Sequence, residues 1–189
     1  MSRKRLPEKF VDKGRLVRKI LAVLVIVGQA LTLSGCSKVN DDGLGDVRGF
    51  NYTDYAIGDV HIRNEGQRLG TGGPNLLPKE PGEERSEGGG MCCIGIPAHW
   101  RPEMRLVVTW TIDKILDGKT LGKWYRATTA VPPYGKNTAG FLVHFLPGDR
   151  IRVQVVDERG EFPRIADDDP YIVQGVLDAV LNKDLENMR

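Results

Sequence analysis

Arg105-Leu106-Val107-Val108-Thr109-Trp110-Thr111-Ile112-Asp113 repeats every two residues: Leu106, Val108, Trp110 and Ile112 fall on one side, Arg105, Thr109, Thr111 and Asp113 on the other. Successive side chains of a β-strand point to opposite faces, so the pattern predicts a strand with one buried and one wet face. The same period recurs in Arg150–Val155, where Ile151, Val153 and Val155 oppose Arg150, Arg152 and Gln154. In Phe141–Phe145, Phe141, Val143 and Phe145 oppose Leu142 and His144. Turn chemistry joins these runs. Asp117-Gly118 is a hairpin signal between a 105–116 strand and one at Trp124–Val131. Pro147-Gly148 suits a type II turn with Gly at positive φ, which pairs Phe141–Phe145 with Arg150–Val156.

Further strands are expected at Tyr52–Arg63 and Met91–Ile96. Between them Gly66–Gly90 is rich in Gly, Pro, Glu and Arg and reads as a long mobile loop. Asp169-Pro170 sets an acidic cap before a proline at a first helical position. Ile172, Val173, Val176, Leu177, Val180 and Leu181 follow at helical spacing, predicting a helix over about Pro170–Leu185 that packs on the sheet or forms a contact face. Five to seven short strands with Gly/Pro turns imply a mainly β fold, a small antiparallel sandwich or open barrel with one C-terminal amphipathic helix.

The N-terminal segment has another character. Arg3, Lys4, Arg5, Lys9, Lys13, Arg15, Arg18 and Lys19 precede an apolar run, Ile20–Leu33, and then Leu33-Ser34-Gly35-Cys36. This resembles the signal peptide and lipobox of bacterial lipoproteins, in which cleavage between Gly35 and Cys36 leaves a lipid on Cys36. As a helix the run is about 21 Å long at ~1.5 Å per residue, short of the ~30 Å hydrocarbon core, which favours a cleaved signal over a retained anchor with an incidental Cys36. Without an Arg pair ahead of the run, twin-arginine export is not expected. Ser37 rather than Asp after the Cys resembles the pattern sent to the outer membrane. Expected organisation is then residues 1–35 signal, 36–48 lipidated Cys and flexible tether, 49–168 β-rich domain and 169–189 helix and tail.

The whole chain carries 27 Lys+Arg and 25 Asp+Glu, but removing the eight basic and two acidic residues before Cys36 leaves 19 and 23, a net of −4. The basic pI therefore belongs to the signal. A mildly acidic domain with scattered charge has no nucleic-acid footprint, and a membrane contact is expected through the lipid alone.

Chemistry beyond that is sparse. After Cys36 the thiols are Cys92 and Cys93. An oxidising compartment favours pairing, but neighbouring Cα atoms ~3.8 Å apart fall below the usual ~4.4–6.8 Å of a disulfide, and in a regular strand the two side chains diverge. A vicinal bridge on distorted backbone and two free, partly packed thiols both remain open. Ser37 and Ser86 lack the Gly-x-Ser-x-Gly setting of a hydrolase nucleophile. A Cys–His pair drawn from Cys92 or Cys93 with His61, His99 or His144 is arithmetically available, though such His are more often structural. They have no metal-ligand spacing, and Asp167-Asp168-Asp169 lacks the Gly turn and Glu of a calcium loop. No catalytic residue, metal or cofactor is expected. Trp100, Arg101 and Tyr134 are candidate partner contacts, because Trp, Tyr and Arg dominate interface hot spots; core packing competes for the aromatics.

Gly49-Phe50-Asn51-Tyr52-Thr53-Asp54, Gly89–Pro102 with its Cys-Cys pair, Pro97 and Trp100-Arg101-Pro102, and Val131–Tyr134 leading to Val143-His144-Phe145-Leu146-Pro147 resemble a family of small bacterial lipoproteins with a domain of unknown function. The chain departs at Tyr52, where His is expected, and in the long insert before the Cys pair. Members of that family stand beside type VI secretion phospholipase effectors. The resemblance implies an immunity role: a periplasm-facing lipoprotein that binds and neutralises such an effector, its contacts drawn from Gly66–Gly90 and His99–Arg101. A structural or assembly accessory of the envelope is the alternative, and a thiol-dependent enzyme is a more distant third.

Overall fold

The computed structural model describes residues 43–157, 162 and 165–187. These lie in one compact unit, Asp41–Arg189, and the signal and lipidation expectations at Gly35 and Cys36 fall outside the described residues. The strands are β1 (Gly43–Asn51), β2 (Ala56–Asn64), β3 (Thr71–Gly72), β4 (Ser86–Ile96), β5 (Arg105–Asp113), β6 (Lys123–Ala130), β7 (Thr138–Leu146), β8 (Arg150–Asp157), β9 (Val173–Gln174) and β10 (Val176–Leu177); a short helix, α1 (Ala179–Asn187), follows. They form two five-stranded sheets, ordered β4-β1-β7-β8-β9 and β10-β6-β5-β2-β3, not closed into a barrel. The mainly β expectation is met, with more strands than five to seven because β3, β9 and β10 are two-residue edges without a periodic signal.

One core lies between the sheets. β1, β4, β7 and β8 contribute Val47, Ile96, Phe141, Val143, Phe145, Ile151 and Val153, and β2 and β5 contribute Val60, Ile62, Leu106, Val108, Trp110 and Ile112, all buried. The alternation of β5 is therefore realised as read. That of β7 is not: Leu142 and His144 are as buried as their neighbours. A second cluster of Phe50, Leu142 and Val156, with Tyr52, Ala139 and Phe162 against it, covers the outer face of the first sheet.

Other expectations are corrected. The supposed tether at 36–48 ends in β1, whose residues 43–47 pair antiparallel with β4 and whose residues from Asp46 pair parallel with β7. Its inward positions include Gly49, where a Cβ would sit 2.8 Å from Leu76 Cδ1; close packing there removed the apolar signal that marks a strand. The Gly66–Gly90 loop is shorter and ordered: β3 pairs with β2, Leu76 is buried and exchanges backbone bonds of 2.9 and 2.8 Å with Ile57, and β4 starts at Ser86. Asp117-Gly118 lies within a nine-residue connection, 114–122, rather than a tight hairpin turn. At Pro147-Gly148 the reading holds, with Gly148 at φ +80°.

The Pro170–Leu185 helix is also corrected. Asp169 caps a turn instead, accepting Tyr171 N–H at 2.8 Å while pairing with Arg152 at 3.0 Å. The chain then lays β9 on β8 and β10 on β6, stepping between sheets at Gly175. Gly175 N–H donates to Asp149 O at 2.8 Å, and a Cβ there would lie 2.6 Å from the Trp110 ring. The helix begins only after Asp178, whose Oδ1 accepts from Val180 and Leu181 N–H at 3.1 and 3.0 Å.

Candidate functional site

The strand directions give the sandwich two unlike ends. β1 and β7 run parallel, so the chain enters at Gly43 beside Ile96, and the far end collects the β1–β2 turn, the 75–77 strap, the β5–β6 loop and the β7–β8 turn. Nine residues of β1 at ~3.3 Å each separate the two ends by about 30 Å.

At the far end, buried Asn51 fastens two loops: its Nδ2 donates to Tyr55 O and Leu77 O, each at 2.8 Å, and its Oδ1 accepts from Thr53 N–H and Oγ–H. Lys114 Nζ reaches Asp149 at 3.0 Å and lies 5.5 Å from the Tyr55 ring centre, joining the β5–β6 loop to the β7–β8 turn. The hydrogen bond to Asp149 raises the Lys114 pKa. The loop itself is built on two carboxylates. Asp113 Oδ1 accepts Ile115 and Leu116 N–H at 3.0 and 3.1 Å. Asp117 Oδ1 accepts Lys119 and Thr120 N–H, and Oδ2 accepts the Thr120 hydroxyl. The Thr120 and Lys119 N–H bonds hold Asp117 below the usual carboxylate range. Leu116 takes a left-handed conformation, φ +52°, uncommon outside Gly, Asn and Asp.

What this framework presents is apolar. Ile115 is 61% exposed, Leu116 53% and Leu77 76%. Beside them opens a cleft of about 430 Å³ whose walls include Asp59, Asn75, Leu77, Asp113, Lys119 and Leu121. Of these, only Asn75 and Leu77 fall in a segment, Gly66–Gly90, that the sequence offered for contacts; Ile115, Leu116 and the rest of the cleft were not named. A period-2 or helical pattern cannot reveal apolar side chains held outward on a loop; the signal available was Ile115-Leu116 between two Asp residues.

Trp100, Arg101 and Tyr134 lie at the entry end. Trp100 Nε1–H donates to Val131 O at 2.8 Å, and the Tyr134 hydroxyl donates to Pro97 O at 2.8 Å. Both rings pack against the main core, so their polar groups clasp segments 97–104 and 131–134 together. Arg101 is exposed and 3.6 Å from Glu103.

The two thiols sit on edge strand β4, both exposed, with their sulfurs brought together as a vicinal disulfide. Alternation breaks at that point: Cys92 pairs with Asp46 and Ile94 with Gly45, leaving Cys93 as the extra residue of a bulge. The three His are scattered. His61 stacks on Trp124 across the outer face of the second sheet, and His99 is exposed near the entry end. Among the described residues, no group of three or more His, Cys, Asp or Glu is placed to hold a metal ion.

His144 is fully buried on the outer face of the first sheet, beside Phe50 and opposite Arg152. Burial, then the Arg152 and Arg85 guanidiniums, push its pKa from 6.5 to about 3. Its Nδ1 lies 3.1 Å from the Tyr52 hydroxyl, whose own pKa burial raises. Arg85 opposes that rise, and among the described residues no hydrogen-bond partner meets His144 Nε2. An imidazole this hard to protonate is a weak proton acceptor; around it Arg85 stacks 3.9 Å from the Phe50 ring centre and Arg152 pairs with Asp169 and Gln154.

The family model described as "Protein of unknown function (DUF3304)" matches residues 50–153. No curated protein and no solved structure matches the chain. The matched segment contains the Asn51 hub, the Leu77 strap, the β5–β6 loop, the β7–β8 turn and the Tyr52–His144 pair. The chain belongs to the DUF3304 family of proteins of unknown function.

Proposed function

We propose that this protein is a lipid-anchored binding protein of the bacterial envelope that neutralises a type VI secretion phospholipase effector. The observation that carries the binding role is the far end of the sandwich, where exposed Ile115, Leu116 and Leu77 are fixed by carboxylate-capped turns and by Asn51. Side chains ordered before contact lose less entropy on association, so a rigid apolar projection favours tight binding. The effector assignment rests on the resemblance of Phe50–Asp54, the Cys-Cys…Trp-Arg-Pro segment and Val143–Pro147 to lipoproteins found beside such enzymes. The compartment rests on the Leu33–Cys36 lipobox.

The test is titration of the full chain, purified in detergent, into the phospholipase encoded beside it, with ester hydrolysis as the readout. Neutralisation predicts an equivalence point near one-to-one. Full hydrolysis at large excess of the lipoprotein refutes it.

A further inference from the structure

The β5–β6 loop combines features that a simple connection does not need. Two carboxylates, Asp113 and Asp117, are turned onto the loop's own backbone rather than toward solvent partners. Lys114 anchors its first residue to Asp149. Leu116 is held at positive φ although a glycine would adopt it freely. The outcome of this constraint is that Ile115 and Leu116, consecutive and aliphatic, stand outward together, each more than half exposed.

Resting on the proposed function, we propose that Ile115 and Leu116 form a wedge that enters the acyl-chain slot of the effector. An enzyme that cleaves phospholipid acyl esters must offer its substrate an elongated apolar recess next to the reacting carbonyl. Two adjacent branched aliphatic side chains on a stiff convex loop match such a recess in chemistry and shape. A lipid bilayer is the competing acceptor, and two observations weigh against it. The wedge lies at the end of the sandwich opposite Gly43, where the chain enters, about 30 Å away. Its flanking charges are of both signs, with Asp113, Asp117 and Asp59 beside Lys114 and Lys119, so there is no basic collar of the kind that draws a loop to anionic lipid. The neighbouring cleft, with Asp59, Asn75 and Lys119 in its walls and Leu77 and Leu121 beside them, offers polar groups of both signs to the rim of the partner's slot.

The experiment measures hydrolysis by the neighbouring phospholipase of a water-soluble, monomeric short-chain ester and, separately, of phospholipid vesicles. Both are run with the full chain in detergent, as wild type and as the Ile115→Asp/Leu116→Asp double variant. Both positions are exposed, and an unchanged thermal melt will show that the fold is intact. On the monomeric ester, wild type raises KM without lowering kcat, and the double variant inhibits about 100-fold more weakly or worse, the loss expected when two buried aliphatic contacts become charged. Equal inhibition by variant and wild type overturns the wedge while leaving neutralisation standing. Inhibition confined to vesicles overturns it in favour of membrane insertion. No inhibition of either substrate by wild type removes the proposed function and the wedge with it.

Discussion

At the scale of single residues, burial decides what the ionisable groups can do. His144 is the clearest case, because a strand position read as the wet face of β7 is instead fully enclosed. Folded, its imidazole takes a proton only near pH 3; unfolded, it does so near 6.5. Between these values the unfolded chain holds the additional proton, so folding stability falls as pH drops through the window, by about 1.4 kcal/mol per pH unit from this group. Above 6.5 the contribution is complete. His144→Phe keeps an aromatic ring beside Phe50 and Tyr52 and removes the titration. Urea unfolding of both proteins at pH 7, 6, 5 and 4 should show wild type losing stability relative to the variant step by step. A gap that stays constant with pH would mean that His144 is not the buried neutral group described. Tyr52, at the position where the family resemblance anticipates His, reaches Nδ1 of that ring, so the departure falls on a direct contact of the buried imidazole.

Elements show where sequence was legible and where it was not. β5 and β8 follow their alternation, and β6 and β7 lie within a few residues of the expected strands, because their sequences are rich in β-branched and aromatic side chains. β1 and the first half of β4 carry glycine where a core residue would announce a strand: Gly49 gives its space to Leu76, and Gly88 faces Leu76 and Pro74. In the C-terminal segment the apolar spacing of Ile172–Leu181 suits a helix, yet the residues go to two sheet edges. The reason is Gly175, which lets the chain pass against the Trp110 ring and bond Asp149 O before pairing with β6. No periodicity encodes that contact. Gly175→Ala puts a methyl group 2.6 Å from both Asp149 O and the indole, a clash with backbone and a packed ring. Overpacking of this kind costs about 1–3 kcal/mol. The expected outcome is a lower denaturant midpoint at an unchanged m-value, with β9 and β10 amides losing hydrogen-exchange protection first. A variant as stable as wild type would show that the segment does not depend on this close approach. The apolar far end was equally hidden, since exposed Ile115 and Leu116 depend on Asp113 and Asp117 bonds that composition does not disclose.

For the whole molecule, the family match and the folding unit differ in extent. The match spans residues 50–153, whereas the compact unit spans Asp41–Arg189. The difference is most of β1 at one end and the second half of β8 with β9, β10 and α1 at the other. β1 is an interior strand, bonded to β4 on one side and β7 on the other, and it buries Val47 completely. Without it, the β4 edge loses its only sheet neighbour and β7 exposes a full row of backbone groups. Each lost backbone bond is worth about 0.5–1.5 kcal/mol net, and Val47 about 1.5–3 kcal/mol more. Summed along two ladders, the loss reaches the roughly 5–15 kcal/mol that holds a domain of this kind folded. A fragment of residues 50–153 should therefore give collapsed amide dispersion in proton–nitrogen spectra and no cooperative melt, while 41–189 gives dispersed resonances and a single transition. Restoring residues 41–49 alone should recover more order than restoring 154–189 alone, because β1 completes ladders on both of its sides, to β4 and β7, whereas the C-terminal segment restores the second half of β8 against β7 and the two-residue edges β9 and β10. A folded, cooperative 50–153 fragment would show that β4 and β7 can close the first sheet without β1, and the two-ended architecture on which the wedge depends would have to be redrawn.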